Sequence, residues 1–317
     1  MVEKQFQKGG IGVNAVIQLE NVSKTIKGKK IIDSLNFTIQ EGEVFGFLGP
    51  NGAGKTTTIR MIVGLMKLSE GDITISGHSI QTEFEDAIRH IGAIVENPEM
   101  YKFLSGYDNL KQYARMQKSV SRERIDEVVK LVGLEDRIHD KVKTYSLGMR
   151  QRLGIAQSLL HRPKVLILDE PTNGLDPAGI KEIRQYIRDL AEKERMAVIV
   201  SSHLLSEMEM MCDRIGILQK GKLIDMQSVR GWMEEGRDTY SIEVDNAEMA
   251  AKYMKMAFED LQPKISRGRI TFEADKEQIP LVIHFFAGKG IDMYEVKKAS
   301  KSLEERFLDI TEKREVM

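Results

Sequence analysis

The residues with the clearest capacity for chemistry form one octapeptide, residues 49–56, whose sequence is GPNGAGKT. It matches the pattern G-x-x-x-x-G-K-[ST], in which glycines let backbone N–H groups surround a phosphate without obstruction by Cβ atoms. Lys55 supplies an ammonium group for the phosphates, and Thr56 supplies a hydroxyl for Mg²⁺. The candidate nucleotide ligands are therefore Gly49, Pro50, Asn51, Gly52, Ala53, Gly54, Lys55, Thr56 and Thr57.

Two elements must hold this loop in place. An apolar run at residues 43–48 predicts a buried strand, and apolar residues at helical spacing over residues 57–65 predict a helix. This strand–loop–helix order is the context that the pattern requires, so a chance glycine-rich turn is a poor explanation. The N-terminus of the helix would add the positive end of its dipole to the anion site. The sequence therefore predicts a nucleotide-binding site.

A second apolar run, residues 165–168, ends in two carboxylates, Asp169 and Glu170. Parallel sheets place ligands at the carboxyl ends of their strands. Asp169 is suited to hold Mg²⁺, and Glu170 is suited to polarise an attacking water molecule. An acidic loop after a core strand is common, but its position downstream of a phosphate loop in the same strand–helix alternation favours the functional interpretation.

Three further motifs make the chain resemble the ATP-binding cassette (ABC) proteins. Residues 145–152 resemble the signature loop of that family, residues 173–176 resemble its D-loop, and His203 after Ser201 and Ser202 resembles its switch histidine. The five motifs stand in the order of the family, and the resemblance covers about residues 17–225. Within the family, the pattern is most similar to the ATP-binding subunits of bacitracin- and lantibiotic-type peptide exporters.

The resemblance implies how the chain would work. Ser146 and Gly148 would contact ATP held by a second, identical chain, so that two chains clamp two ATP molecules head to tail. Glu170, His203 and Lys55 would be the catalytic residues. Considered alone, the segment around Ser146 would be an N-capped helix with a basic face, and a histidine after a strand is more often structural.

The chain departs from the family pattern at two positions. The aromatic residue that usually stacks on adenine is missing near the end of the first strand, where Ile26 is the candidate apolar contact. The usual glutamine after the strand that ends near residue 95 is replaced by Glu96, a change that the similar exporters share. A carboxylate suits a hard cation, so the predicted Mg²⁺ ligands are Thr56, Glu96 and Asp169.

The alternation of strands and helices predicts an α/β fold with two domains. Residues 17–230 would form a P-loop ABC ATPase domain, interrupted by a helical subdomain at about residues 99–160. Residues 231–317 carry no nucleotide motif, and their pattern predicts a small α+β domain of split β-α-β type. Residues 1–16 lack the apolar run of a signal peptide and are predicted to be a flexible extension.

Composition limits the setting in which the chain works. The net charge is −1, which gives no electrostatic reason for a nucleic-acid partner, and a single cysteine excludes a disulfide framework. No apolar run approaches the roughly 18 residues that span a bilayer. We therefore expect a cytoplasmic subunit at the inner face of the cell membrane, attached only through an integral membrane permease.

Two other functions are compatible with the motifs. The first is a soluble ABC ATPase that is not coupled to transport, although such proteins usually carry two cassettes or long heptad arms. The second is a nucleotide-gated binding module with little turnover, against which the carboxylate of Glu170 and the imidazole of His203 argue.

Overall fold

The computed structural model describes residues 15–117, 120–229, 231, 238–266 and 268–298. The chain divides into two compact units, residues 1–229 and residues 230–317, and each is considered by itself. The predicted N-terminal extension lies outside the described residues except for its last two positions, which already belong to the first strand.

The described residues of the first unit contain ten strands in two sheets. They are β1 (Ala15–Ile26), β2 (Lys29–Gln40), β3 (Val44–Leu48), β4 (Glu70–Ile75), β5 (His78–Ser79), β6 (Ile91–Ile94), β7 (Val165–Asp169), β8 (Ala197–Ser202), β9 (Arg214–Gln219) and β10 (Lys222–Ser228). One sheet is antiparallel, in the order β2–β1–β4–β5, and the other runs β10–β9–β3–β8–β7–β6. The second sheet is parallel except for the β9–β10 pair, as the strand–helix alternation predicts.

In the part of this unit that the structure describes, seven α-helices accompany these strands. They are α1 (Lys55–Ile62), α2 (Phe84–Ile88), α3 (Gly106–Arg115), α4 (Arg122–Leu131), α5 (Leu147–Leu159), α6 (Pro177–Glu194) and α7 (Leu205–Met211). Ser105, Ser121 and Ser146 cap α3, α4 and α5 by accepting a hydrogen bond from a backbone N–H in the first turn, which fixes where each helix begins. These three helices lie between β6 and β7 in the chain, where the sequence predicts the helical interruption.

The central strands β3, β7 and β8 are buried along their whole length, so their carboxyl ends are held rigidly. Gly46 of β3 lies against the residue that follows α7, because a Cβ atom at Gly46 would stand only 2.7 Å from Cys212 Sγ. Cys212 is itself buried, 3.6 Å from Met208 Sδ, and burial raises the pKa of its thiol. Among the described helices of both units, none has the length and apolarity needed to cross a bilayer.

The second unit is a small α+β fold. Its elements are β11 (Asp238–Val244), α8 (Ala247–Ala257), β12 (Lys264–Ser266), β13 (Arg269–Ala274), α9 (Ile279–Gly288) and β14 (Met293–Lys298). The sheet is antiparallel in the order β12–β13–β11–β14, so β13 separates the two strands that α8 connects. This is the split β-α-β topology that the sequence predicts. Both helices pack over a core built on Ile242, Ile270 and Phe272.

Candidate nucleotide site

A cavity of about 440 Å³ lies between the phosphate loop and the residues that follow β7 and β8. Nine of the residues predicted for the site line it, together with two that the sequence analysis did not identify. The lining residues are Ile31, Pro50, Asn51, Gly52, Gly54, Lys55, Thr56, Thr57, Glu170, Asn173 and His203. The fold therefore brings the phosphate loop and two of the predicted catalytic side chains to one place.

The phosphate loop is shaped by packing against its own chain. A Cβ atom at Gly49 would stand 2.3 Å from the carbonyl oxygen of Leu218, which leaves no room for any side chain. Gly54 has a φ of 112° and caps the N-terminus of α1, a backbone conformation that only glycine adopts without strain. The first N–H groups of α1 therefore remain available at the cavity for an anion.

Lys55 lies at the floor of this cavity, with only 6% of its side chain exposed. Its ammonium group donates to the carbonyl oxygen of Gly49 at 2.7 Å and to that of Pro50 at 3.4 Å. It also forms an ion pair with Glu170, at 3.5 Å between Nζ and Oε1. A buried cation held mainly by carbonyl oxygens is a strong site for a more negative ligand such as a phosphate.

Glu170 connects Lys55 to His203. Its second carboxylate oxygen lies 2.9 Å from Nδ1 of His203, so the three side chains form a continuous line across the cavity. The backbone of Glu170 has a φ of 51°, which is unusual for a residue with a side chain and is further disfavoured before Pro171. Such local strain is a feature of functional sites, where the surrounding structure holds the residue in place.

One serine fixes both residues of the carboxylate pair. Ser201 Oγ donates to Asp169 Oδ1 at 2.5 Å and accepts from the backbone N–H of Glu170 at 3.0 Å. Asp169 is buried and does not line the cavity, although it directly precedes a residue that does. Because Ser201 is the residue of β8 paired with Asp169 of β7, the register of two parallel strands sets this contact.

Two other predicted ligands, Ile26 and Glu96, do not line the cavity. Ile26 ends β1 and is 39% exposed, whereas Ile31 of the neighbouring strand β2 reaches the lining. Glu96, whose φ is 69°, is 64% exposed and forms an ion pair with Arg60 of α1. The proposed roles of Ile26 in base contact and of Glu96 in metal binding therefore remain predictions.

The predicted signature residues Ser146 and Gly148 also lie outside this cavity. Ser146 Oγ accepts from the backbone N–H of Met149 at 3.2 Å and so caps α5. The hydroxyl of Tyr145 donates to the carbonyl oxygen of Arg137 at 2.7 Å, and burial raises the pKa of this hydroxyl to about 12. The residue that precedes Ser146 is thus held by a hydrogen bond, while Ser146 itself is exposed.

Three residues of the site were missed because their signals are not local. Ile31 is one apolar residue in an ordinary strand, and only the hairpin of β1 and β2 brings it to the loop. Asn173 and Ser201 belong to segments that the sequence analysis considered as motifs without assigning these side chains a role. The pairing of strand ends that places them is set by contacts more than twenty residues apart in the chain.

Comparison with known proteins agrees with this geometry. Residues 32–173 match the family model described as ABC transporter. The chain is 63% identical over 299 residues to YhcH of Bacillus subtilis (strain 168), described as an uncharacterized ABC transporter ATP-binding protein, covering 94% of this chain and 97% of the relative. It is 37% identical over 299 residues to the bacitracin transport ATP-binding protein BcrA of Bacillus licheniformis, covering 94% and 98% of the two chains.

Solved structures give the same picture for the first unit. One similar structure is a dimeric ATP-binding cassette in a post-hydrolysis state, bound to ADP and phosphate. Its identity to this chain is 27% and its TM-score is 0.61, with 68% of this chain and 99% of the other covered.

Proposed function

The chain belongs to the ATP-binding proteins of ABC transporters and is an ATPase of that class, and from that premise we propose that it drives peptide export through a separate membrane permease. The observation that carries ATP hydrolysis as the source of energy in this proposal is the line of Lys55, Glu170 and His203 across the phosphate-loop cavity. In this role the chain works in the cytoplasm, at the inner face of the membrane, as one of a pair of identical subunits.

The phosphate loop and Lys55 hold the triphosphate of ATP in this proposal. Lys55 exchanges its contacts with Gly49, Pro50 and Glu170 for contacts with phosphate oxygens, which carry more negative charge than carbonyl oxygens. The N–H groups of Gly54, Lys55 and Thr56 add the positive end of the helix α1. Adenine has no aromatic partner near the end of β1, and we propose an apolar contact from Ile26, with Ile31 beside it.

The side chains around the loop also suit Mg²⁺. The donors are a hydroxyl and carboxylates, which are the hard oxygen ligands that this cation prefers. We propose Thr56 and Asp169 as its ligands, with Glu96 as a third. Bound there, Mg²⁺ would supply positive charge that neutralises the charge developing on the phosphates during transfer.

Glu170 and His203 act on the water molecule and on the terminal phosphate. When phosphate replaces Glu170 as the ion-pair partner of Lys55, the carboxylate of Glu170 is released to accept a proton from water. The contact between Glu170 Oε2 and His203 Nδ1 fixes the imidazole ring. With Nδ1 donating to the carboxylate, the other ring nitrogen, Nε2, donates to the phosphate when the imidazole carries both protons. Both groups are already in one cavity, and catalysis gains from that prior positioning.

A second chain completes the site in this proposal. Ser146 is exposed at the N-terminus of α5, away from the cavity of its own chain, and so is free to meet ATP held by a partner. The similar cassette that was solved with ADP and phosphate is itself dimeric. ATP binding would close the pair, and hydrolysis would reopen it.

The substrate class rests on relatives whose descriptions name it. Two proteins described as bacitracin transport ATP-binding protein BcrA, from Bacillus licheniformis and Enterococcus faecalis, are 37% and 32% identical to the chain over more than nine tenths of its length. The lantibiotic transport protein SrtF of Streptococcus pyogenes is 43% identical over 209 residues. We therefore propose antimicrobial peptides or drug-like molecules as the exported substrates.

The test is to express the chain with a candidate peptide-exporter permease in a peptide-sensitive host. We expect a several-fold rise in the inhibitory concentration of bacitracin or a lantibiotic, and recovery of the chain in the membrane fraction only when the permease is present. Glu170→Gln keeps the shape of the side chain but cannot accept a proton, so it should remove the resistance while leaving membrane recovery intact. Glu194→Gln, at an exposed position of α6, is the matched control.

Full ATPase activity in the purified chain without any permease-dependent membrane recovery would contradict the coupling to transport. It would favour the alternative of an ABC ATPase that works away from membranes.

A further inference from the structure

Glu207 of α7 is a buried carboxylate that the proposed mechanism does not use. Only 5% of the residue is exposed, and it does not line the nucleotide cavity. Its Oε2 atom accepts hydrogen bonds from two hydroxyl groups, one from Thr172 Oγ1 and one from Ser202 Oγ at 3.3 Å. Thr172 and Ser202 are buried as well.

Burying the carboxylate of Glu207 costs free energy, so its presence in the interior indicates that it serves a purpose other than packing. Within the part of the chain that the structure describes, no lysine, arginine or histidine lies within ion-pair distance of Glu207, and two hydroxyl groups are its hydrogen-bond partners. A buried polar side chain costs free energy that an apolar residue would not. The fold therefore keeps Glu207 at a cost to its stability.

The two hydroxyl donors belong to the two segments that carry the catalytic pair. Thr172 follows Glu170 by two residues, and Ser202 directly precedes His203. Ser202 Oγ also accepts from the backbone N–H of Leu204 at 2.9 Å, so the loop around His203 is held on both sides. Glu207 thus joins the end of β7 to the end of β8 through side chains alone.

Successive side chains of a strand point to opposite faces, so Ser201 and Ser202 act on opposite sides of β8. Ser201 binds Asp169 and the backbone N–H of Glu170 on one side. Ser202 binds Glu207 on the other side, and Glu207 in turn binds Thr172. The chain around the strained residue Glu170 is therefore fixed to β8 at two points. Ser201 holds Asp169 and the N–H of Glu170, and Ser202 holds Thr172 through Glu207.

We infer that Glu207 is a positioning residue for ATP hydrolysis, which holds the Glu170 and His203 segments in register so that their 2.9 Å contact is kept. The inference rests on the hydrolytic role of the site proposed above. The described hydrogen bonds of Glu207 reach Thr172 and Ser202. None of them reaches Lys55, which contacts Gly49, Pro50 and Glu170. Its loss should therefore change the chemical step and leave nucleotide binding unchanged.

The experiment compares Glu207→Gln with Glu207→Leu in the full chain. Glutamine keeps an oxygen that can accept from both hydroxyl groups, whereas leucine fills the volume and accepts nothing. We expect Glu207→Leu to lower kcat about 10- to 100-fold, as a displacement of about 1 Å at a reacting group does, with KM for ATP within about twofold of the parent. Glu207→Gln should keep kcat within about threefold.

A second pair covers the case in which Glu207→Leu does not fold. Thr172→Val removes the donor from the other end of the same contact, and Thr172→Ser restores it. We expect kcat to fall about tenfold with valine and to recover with serine, while the affinity for a fluorescent ATP analogue stays the same. Glu194→Leu on the exposed face of α6 is the control for the loss of a carboxylate.

Three outcomes would overturn the inference. The first is an unchanged kcat in Glu207→Leu or Thr172→Val, the second is an equal loss in Glu207→Gln and Glu207→Leu, and the third is a rise in KM with kcat unchanged. A parent chain without ATPase activity would instead overturn the hydrolytic role itself, and the inference with it.

Discussion

The phosphate loop and the start of α5 are both glycine-containing segments that open a helix, but their glycines are required for different reasons. At Gly49, a Cβ atom would meet the backbone of Leu218 at 2.3 Å. At Gly148, the nearest atoms to a Cβ would be Leu175 Cδ2 at 3.8 Å and Ser146 Oγ at 3.9 Å, which is ordinary contact. The chain alone thus explains the first glycine and leaves the second unexplained.

Under the proposed function, this difference separates a loop that its own chain shapes from a segment that meets ATP held by a partner chain. The phosphate loop has its shape before any ligand arrives, because strands β2, β3 and β9 and the residues around them already pack against it. The start of α5 is capped by Ser146, but nothing in its own chain approaches Gly148 closely. We therefore expect substitutions in the two segments to fail in different assays.

The largest effect is expected for Gly49→Ala. The new methyl group would collide with the carbonyl oxygen of Leu218, a backbone atom that cannot turn away, so we expect a loss of about 3 kcal/mol in the free energy of unfolding. Urea denaturation of the nucleotide-free chain measures it. Gly52→Ala is the matched control, because Gly52 has a φ of 81° but open space around it, and should cost about 1–2 kcal/mol.

If Gly49→Ala were as stable as Gly52→Ala, the packing of the loop against β9 would not be what shapes it. The contrast with the signature segment would then lose its physical basis.

A smaller and more specific effect is expected for Gly148→Ala. Its backbone does not need a positive φ, and alanine is the better helix former, so the stability of the single chain should be equal or slightly higher. ATP affinity at the phosphate loop should stay within about twofold. In a Glu170→Gln background, which prevents turnover, the ATP-dependent dimer should weaken at least about tenfold, as measured by analytical ultracentrifugation.

A Gly148→Ala chain that dimerises with ATP as well as its parent would mean that no partner approaches this glycine. The proposed sandwich of two chains would then have to place α5 elsewhere.

The smallest effect is expected for Glu96→Gln, which tests the surroundings of the phosphate loop. Glu96 contacts Arg60 of α1, so its carboxylate belongs to the surroundings of the loop although it does not line the cavity. A neutral oxygen attracts Mg²⁺ less than a carboxylate does, so the variant should keep substantial ATPase activity and need about two- to threefold more Mg²⁺ for half-maximal rate. The measurement is a Mg²⁺ titration at fixed ATP.

Glu96→Ala is the companion variant, which removes the oxygen altogether and should require more Mg²⁺ still. Identical Mg²⁺ dependence in the parent, Glu96→Gln and Glu96→Ala would show that the carboxylate serves only its ion pair with Arg60.

The parts of the site that could be predicted from sequence are those in which the backbone itself makes the binding surface. The loop from Gly49 to Thr56 is such a case, because its glycines and its lysine must stand at fixed spacing for any phosphate to fit. Glu170 was also predictable, because an apolar strand that ends in carboxylates indicates where a parallel sheet presents them. The parallel sheet and the split β-α-β order of the second unit followed in the same way from periodicity.

The parts that could not be predicted depend on the register between distant strands. The sequence indicated Ile26 as the apolar neighbour of the base, whereas Ile31 lines the cavity, because irregular pairing of β1 with β2 decides which side chain reaches it. Glu207 is five residues after Ser202, but its contact with Thr172 spans 35 residues.

The position of Cys212 provides a built-in measure of local opening in the chain. It is the only thiol in the sequence, and its side chain is buried against Gly46 in the strand that runs directly into the phosphate loop. Since thiolate is the reactive form and burial raises the pKa of this thiol, alkylation requires the packing between α7 and β3 to open first. The rate of alkylation therefore measures how often this packing opens. It reports the local stability around the strand that leads into the phosphate loop, and the measurement needs no label or mutation.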